Sequence, residues 1–370
     1  MIEFAFEDLR QLGLSQALAP SLAAFEAPPG GPHRWARVTS VHRETLDLHD
    51  GHQPGSARCA ARLARDLWDQ DSALAVGDWV LCHADEHGQT WVTARVPPLT
   101  SIVRRDADGG RHVVASNVDT ALLVMGLDLD FSLPRLERYL ALVGSGGVLP
   151  VVVLSKADIA ERADPALLPS RLQALRRRIG DAVEVLALDA RDPAALRALQ
   201  PYLGLGQTVV LLGSSGAGKS TLTNTLAGRL VQDTGAVREH DSRGKHTTTA
   251  RALYQLPSGA CVIDTPGVRT LRPDVDAQTL GQLFEDVAAL SGACRFRDCQ
   301  HGEEPGCAVR VQVAPERLRN YHKLLRESRR DTLSALERQR QLAEWKARGR
   351  SGRQRLEMKR AGAERGRPDG

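Results

Sequence analysis

Apolar and polar positions change their period along the chain, and the changes divide it. Between residues 34 and 96, short runs at 35–41, 44–48, 78–82 and 90–96 alternate or cluster strand-forming residues, and His-Asp-Gly, Val-Gly-Asp and Glu-His-Gly turns break them. Strands this short and this evenly interrupted predict a small barrel of about five strands, of the OB type. Past residue 110 the apolar runs at 120–126, 149–154, 183–188 and 208–212 read as buried strands, and the patterns at 133–143, 167–179 and 193–199 as helices between them. That alternation predicts a mostly parallel sheet covered by helices on both faces. Segments 252–256 and 260–264 flank Pro257-Ser258-Gly259 and predict a hairpin.

The strand at 208–212 runs into Gly213-Ser214-Ser215-Gly216-Ala217-Gly218-Lys219-Ser220-Thr221, which then opens a helical pattern. This is the strand-loop-helix context of a P-loop. Its glycines let successive N–H groups and a helix N-terminus face an anion. Lys219 is placed to reach the β- and γ-phosphates, and the Ser220 hydroxyl to ligate Mg²⁺. Asp264-Thr265-Pro266-Gly267 ends the second hairpin strand, where an aspartate can hold the Mg²⁺ shell and the Gly267 N–H can contact a γ-phosphate. His246-Thr247-Thr248-Thr249 lies between, and a threonine there, with Thr248 favoured, completes the Mg²⁺ sphere when the triphosphate is present. Ser155-Lys156-Ala157-Asp158 follows the buried run 149–154. The Asp158 carboxylate can accept from guanine N1–H and the exocyclic amine, donors adenine does not offer in that arrangement. The Lys156 stem can lie along the base, and Leu188-Asp189-Ala190, after the next strand, can add backbone contacts.

A second constellation is Cys294, Cys299, His301 and Cys307, spaced C-x4-C-x-H-x5-C. Three thiolates and one imidazole make the closed tetrahedral set of structural zinc, with no position left for water activation. Cys59, Cys82 and Cys261 fall elsewhere and read as small core residues. Composition changes this picture in three ways. Hydrophobic content of 42% with 25% charged residues suits a soluble chain, and no run approaches the roughly 20 apolar residues of a membrane span, so a cytoplasmic location is the expectation. Residues 316–370 carry 17 Lys plus Arg against 8 Asp plus Glu, which leaves residues 1–315 at −5 within a total of +4. The basic end is thus either a surface for a polyanion or a solvated face with a loose tail. Arg104, Arg105 and Arg111, just beyond the barrel, are expected to extend a basic surface.

The base-reading loop precedes the phosphate loop, the reverse of ordinary GTPases. With the barrel in front and the Cys3His set behind, the chain resembles the circularly permuted GTPases, specifically the family of ribosome small subunit-dependent GTPase A (RsgA), over about residues 34–326. The resemblance implies a multidomain chain. Residues 1–32 form an extension and linker, 33–110 an OB-fold barrel, 111–275 a permuted α/β P-loop GTPase domain, 276–335 a zinc-binding helical domain and 336–370 a basic tail. It implies a GTP hydrolase acting in late maturation of the 30S subunit, with GTP and GDP, Mg²⁺, one structural Zn²⁺ and the 16S rRNA as ligands, no membrane partner, and a monomer. The chain departs from the family twice. The base-reading motif usually begins with Asn, where Ser155 stands here, and Val268 follows Gly267 where Ras-like enzymes carry a water-orienting Gln. His246 is the expected replacement, because a neutral imidazole can accept a proton from water. An RNA-binding assembly module with a structural or degenerate nucleotide site is the alternative reading.

Overall fold

The computed structural model describes residues 5–26, 32–106, 109–232, 251–266 and 272–331 of the 370. Two short helices, α1 (Phe6–Arg10) and α2 (Ala19–Ala23), precede five strands: β1 (His33–Val41), β2 (Leu46–His49), β3 (Pro54–Cys59), β4 (Trp79–Ala84) and β5 (Thr90–Arg95), with helix α3 (Ala61–Asp69) between β3 and β4. β1 pairs with both β2 and β4, β2 with β3, and β3 with β5, which pairs back to β4, so the barrel closes and leaves no open edge. Inside it Val38, Leu46, Leu48, Val80 and Val92 meet Leu63 and Leu67 of α3, which plug one end. The barrel expected from alternation is therefore present, with β3 and α3 as elements the pattern did not single out.

Two expectations change. Within the expected N-terminal extension, the described residues pack on the barrel: Leu9, Leu12, Leu14, Leu18 and Leu22 are buried against Trp35, Trp79, Leu81 and Val96. At about 1.5–3 kcal/mol per buried leucine, this segment is part of the barrel's core. Likewise the boundary at 110/111 cuts a hairpin, β6 (Ser101–Arg105) with β7 (Arg111–Ser116), whose Ile102, Val114 and Ala115 sink into the core of the following domain. Within that hairpin Arg105 and Arg111 do not extend a basic surface, because both bond the Asp274 carboxylate, each at 2.8 Å.

The sheet that follows has the order β10 (Glu184–Ala187), β9 (Leu149–Ser155), β8 (Thr120–Gly126), β11 (Thr208–Leu212), β13 (Cys261–Asp264), β12 (Ala252–Gln255), parallel except for β12. β8 and β11, at its centre, are buried at every position. Helices α4 (Leu133–Gly144), α5 (Ala157–Ala163), α6 (Leu167–Ile179), α7 (Ala194–Leu199) and α8 (Lys219–Ala227) supply the cover, with separate apolar clusters on its two faces. This is the helix-sheet-helix layering expected of such an alternation. The two sheets join where Ser40 of β1 pairs with Ala252 of β12. Beside that seam the buried Arg37 donates to the carbonyls of Leu12, Gly77 and Asn117 and to Thr208 Oγ1, so one guanidinium ties the N-terminal segment, barrel and sheet.

Helices α9 (Ala277–Leu283), α10 (Glu285–Ser291), α11 (Ala308–Gln312) and α12 (Pro315–Asp331) form a last unit around Phe284, Val309 and Leu324, with Ala141 of α4 in the same cluster. Glu137 of α4, fully buried, accepts from Arg178 of α6 and from Arg317 and Asn320 of α12. Removing one member of such a buried set strands the others without counter-charge, which fixes the last unit to the sheet domain.

Candidate functional site

β11 delivers Gly213 to the carboxyl edge of the sheet, where a Cβ would lie 2.4 Å from the Val124 carbonyl, so only glycine lets the loop turn over β8. Gly216 and Gly218 take positive φ of 81° and 97°, conformations that favour glycine. The loop closes around the buried Lys219, whose Nζ donates to the carbonyls of Gly213 at 3.0 Å and Ser214 at 2.8 Å. Burial holds the Lys219 ammonium below its ordinary pKa, opposed by the negative charges of Asp264 and Asp130. Asp264 ends β13, level with Leu211 in the parallel register. It is 1% exposed, neither carboxylate oxygen has a partner of good hydrogen-bond geometry among the described residues, and burial pushes its pKa up to about 6 against the pull of Lys219 and of the Thr265 backbone N–H. A buried, unpartnered carboxylate beside an anion-binding loop has the chemistry of a hard-cation ligand.

The second loop stands next to the first. β9 and β8 run parallel with Ser155 beside Gly126, and the buried Ser155 Oγ donates to the Ala217 carbonyl at 2.6 Å. Serine thus makes one bond from the base-reading loop to the phosphate loop. Lys156 sits at φ 62°, turning the chain into α5, and its Nζ lies 2.6 Å from Asp128. Asp158 Oδ2 meets Arg162 of the same helix and Arg191 at 2.8 Å, while its Oδ1 is buried without a partner among the described residues. The Ala157 N–H points to the Leu188 carbonyl, and Thr225 of α8 donates to the Ala190 carbonyl at 2.7 Å, so the 188–190 stretch borders both loops. Ser215, Ser220 and Thr221 lie in the phosphate loop and the first turn of α8. His246, Thr248, Gly267 and Val268 fall outside the described residues.

The sequence reading missed Asp128 and Asp130. Asp130 accepts from Ser214 Oγ, from the Gly126 N–H at 3.1 Å and from Arg135, so the carboxyl end of β8 braces the phosphate loop as Asp128 braces Lys156. A signal was available, since D-x-D follows an apolar strand at the edge where α/β sheets bind ligands. Arg191, one residue past the 188–190 stretch, was missed for want of any motif.

In the last unit, the ligand atoms of Cys294, Cys299, His301 and Cys307 lie within 4.8 Å of one another. His301 Nδ1 is 3.6 Å from both Cys294 Sγ and Cys307 Sγ, while its Nε2 meets Ser291 Oγ at 3.1 Å. One ring nitrogen faces the sulfurs and the other is fixed by a hydroxyl, the arrangement of a metal-ligating imidazole. None of the six cysteines forms a disulfide. The four residues fit a tetrahedral metal ion with thiolate and imidazole donors.

A family model described as RsgA GTPase matches residues 96–273. The small ribosomal subunit biogenesis GTPase RsgA of Xanthomonas oryzae pv. oryzae (strain PXO99A) is 45% identical over 328 residues, 82% of this chain and 88% of that protein. Among solved structures, YjeQ from Thermotoga maritima superposes with a TM-score of 0.56 at 23% identity, covering 80% of this chain and 98% of that one. YloQ, described as a circularly permuted GTPase, gives 0.53 at 23% identity over 84% and 100%. At that identity the two structures speak for the fold.

Proposed function

This chain belongs to the RsgA GTPase family, and from that premise we propose that GTP hydrolysis times its release from the small ribosomal subunit during that particle's maturation. It is a GTP-hydrolysing enzyme with guanine nucleotides and the 30S subunit as partners. The observation that most supports the detailed reading is the Ser155 hydroxyl on the Ala217 carbonyl, because it holds base-reading and phosphate loops side by side although they are inverted along the chain. In this reading Gly213 to Thr221 cradle the phosphates, Lys219 neutralises charge on the β- and γ-phosphates, and Asp158 and Lys156 select guanine. Mg²⁺ bound with the nucleotide would neutralise negative charge on the phosphates. Ser220 and Asp264 would hold it, the latter in person or through water, with Thr248 completing the set and Gly267 meeting the γ-phosphate.

The Val268 side chain has no polar atom with which to orient water, so we assign that role to His246, brought into position by the docked partner. The base is then an imidazole that accepts the proton of the attacking water. Turnover is slow alone and rises on docking, since the groups are assembled only there. In the last unit Cys294, Cys299, His301 and Cys307 would hold zinc, which would organise α10 to α12 rather than take part in hydrolysis. The partner surface is 16S rRNA, met by the barrel and the basic end, and the protein acts as a cytoplasmic monomer. No helix among the described residues is long and apolar enough to cross a membrane.

The deciding experiment is GTP turnover with and without purified small ribosomal subunits, for the wild type, Lys219→Ala and His246→Ala. Partner stimulation that disappears in both variants, with GTP binding kept by His246→Ala, supports the reading. Equal rates with and without subunits refute it and favour the RNA-binding module with a degenerate nucleotide site.

A further inference from the structure

A cavity of about 430 Å³ opens at the seam between barrel and sheet domain. Its wall comes from four places: Val41 at the end of β1 with His42 and Arg43 of the β1–β2 turn, Leu74 to Val76 before β4, Val113 of β7, and Arg251 and Pro266 of the nucleotide domain. The volume lies within the roughly 300–1,000 Å³ of ligand sites. Two walls differ in chemistry. Val41, Leu74, Val76, Val113 and Pro266 give an apolar surface, while Arg43, Arg251 and His42 supply the polar one.

Charge is the unusual feature. Arg251 donates weakly to the Val113 carbonyl at 3.4 Å, and no carboxylate among the described residues pairs with it. Burial, first, and the like charge of Arg104 both lower its pKa. Arg43, exposed on its turn, and Arg104 likewise have no acidic partner among the described residues. His42 is the exception, with Asp47 at 2.8 Å. Elsewhere at this seam arginines are satisfied: Arg105 and Arg111 by Asp274, Arg37 by carbonyls and a hydroxyl. A part-buried guanidinium without a counter-charge carries an uncompensated desolvation cost, which a bound anion removes. A planar guanidinium fork suits phosphate in particular.

From this cluster we infer that the seam cavity binds one nucleotide of single-stranded RNA, its phosphate between Arg43 and Arg251 and its ribose and base on the apolar wall. RNA is favoured over a free phosphate by the apolar wall, which an inorganic anion does not use, and by the β1–β2 turn, a loop through which OB barrels bind oligonucleotides. The inference rests on the ribosomal reading above and adds a particular site to it. The site also touches the nucleotide domain's own chain: the Arg251 carbonyl accepts from Ser40 Oγ at 3.2 Å, and Pro266 is two residues past Asp264. An occupant is thus held by both domains at once.

The test measures binding of a fluorescent single-stranded RNA octamer to the full chain by anisotropy at several salt concentrations. Arg43→Glu and Arg251→Met are each expected to weaken binding about five- to tenfold and to flatten the log–log salt slope by about 0.7, one phosphate contact of a single strand. Arg65→Glu, on the exposed face of α3, serves as the control and is expected to bind as the wild type does. Arg43 is in an exposed turn, so its variant tests the site even if Arg251→Met proves unstable. Wild-type affinity and slope in Arg43→Glu, while truncation after Arg330 abolishes RNA binding, would overturn the cavity assignment and leave the ribosomal reading standing. No binding of the wild type to either the octamer or small subunits would overturn both. Competition by millimolar inorganic phosphate that depends on Arg43 would make the site one for a free anion and overturn the RNA assignment.

Discussion

Replacing Asp264 by Asn should make the protein more stable and less able to hold the Mg²⁺–nucleotide complex. The carboxylate is buried with both oxygens lacking a well-formed hydrogen bond among the described residues, and burial raises its pKa from 3.8 to about 6. At 1.36 kcal/mol per pH unit, that rise means ionised Asp264 opposes folding by about 3 kcal/mol. The sign follows from proton counting. Between pH 3.8 and about 6 the folded state binds more protons at this site than the unfolded one, so stability falls as pH rises through that window and is level above it. The asparagine side chain of Asp264→Asn has no charge to desolvate, but its amide finds no partner there either, which returns about 1–2 kcal/mol. A net gain of about 1–2 kcal/mol at pH 7.5 remains, or a Tm increase of about 2–8 °C for a domain of this size. The assay is thermal unfolding without nucleotide from pH 4.5 to 8, paired with Mg²⁺-dependent GTP binding. The variant's advantage should vanish near pH 4.5 and be complete above pH 6.5, while its Mg²⁺-dependent gain in GTP affinity is lost. A variant less stable than the wild type at pH 7.5, or a difference independent of pH, refutes the reasoning.

Ser155→Ala removes the bond to Ala217 and leaves that carbonyl buried, so guanine nucleotide affinity should fall about five- to tenfold, roughly 1 kcal/mol, by fluorescent GDP titration. Glu137→Ala leaves Arg178 and Arg317 without their shared acceptor and should cost about 3–5 kcal/mol, seen as early hydrogen exchange in α12 during urea unfolding. Chelation should release one zinc ion per chain and unfold α10 to α12 while GTP binding persists, and Cys307→Ser should do the same without chelator. Truncation after Arg330 should weaken docking to small subunits and flatten its salt dependence, because it removes most of the basic excess of residues 316–370.

How much of this was legible beforehand depended on the range of the interactions. The phosphate loop and the Cys3His set are local: their glycines, lysine and ligands sit at spacings that one turn or one wrapped loop dictates, so the linear pattern sufficed to find them. Strand order was legible as far as the alternation of apolar runs, which gave both the barrel and the parallel sheet. Residues whose role comes from distant partners could not be read that way. Asp128 and Asp130 became braces only because β8 lies between β9 and β11, and Arg105 and Arg111 left the basic surface only because Asp274 folds back on their hairpin. The leucines of residues 9–22 looked like part of a linker because the apolar wall they cover lies on the barrel. Sequence by itself determined the phosphate loop, the Cys3His set and most of the strands of barrel and sheet. Tertiary structure decided which charges are paired and which are left facing the seam, because pairing is set by proximity in space, and proximity by which strands the sheet makes neighbours.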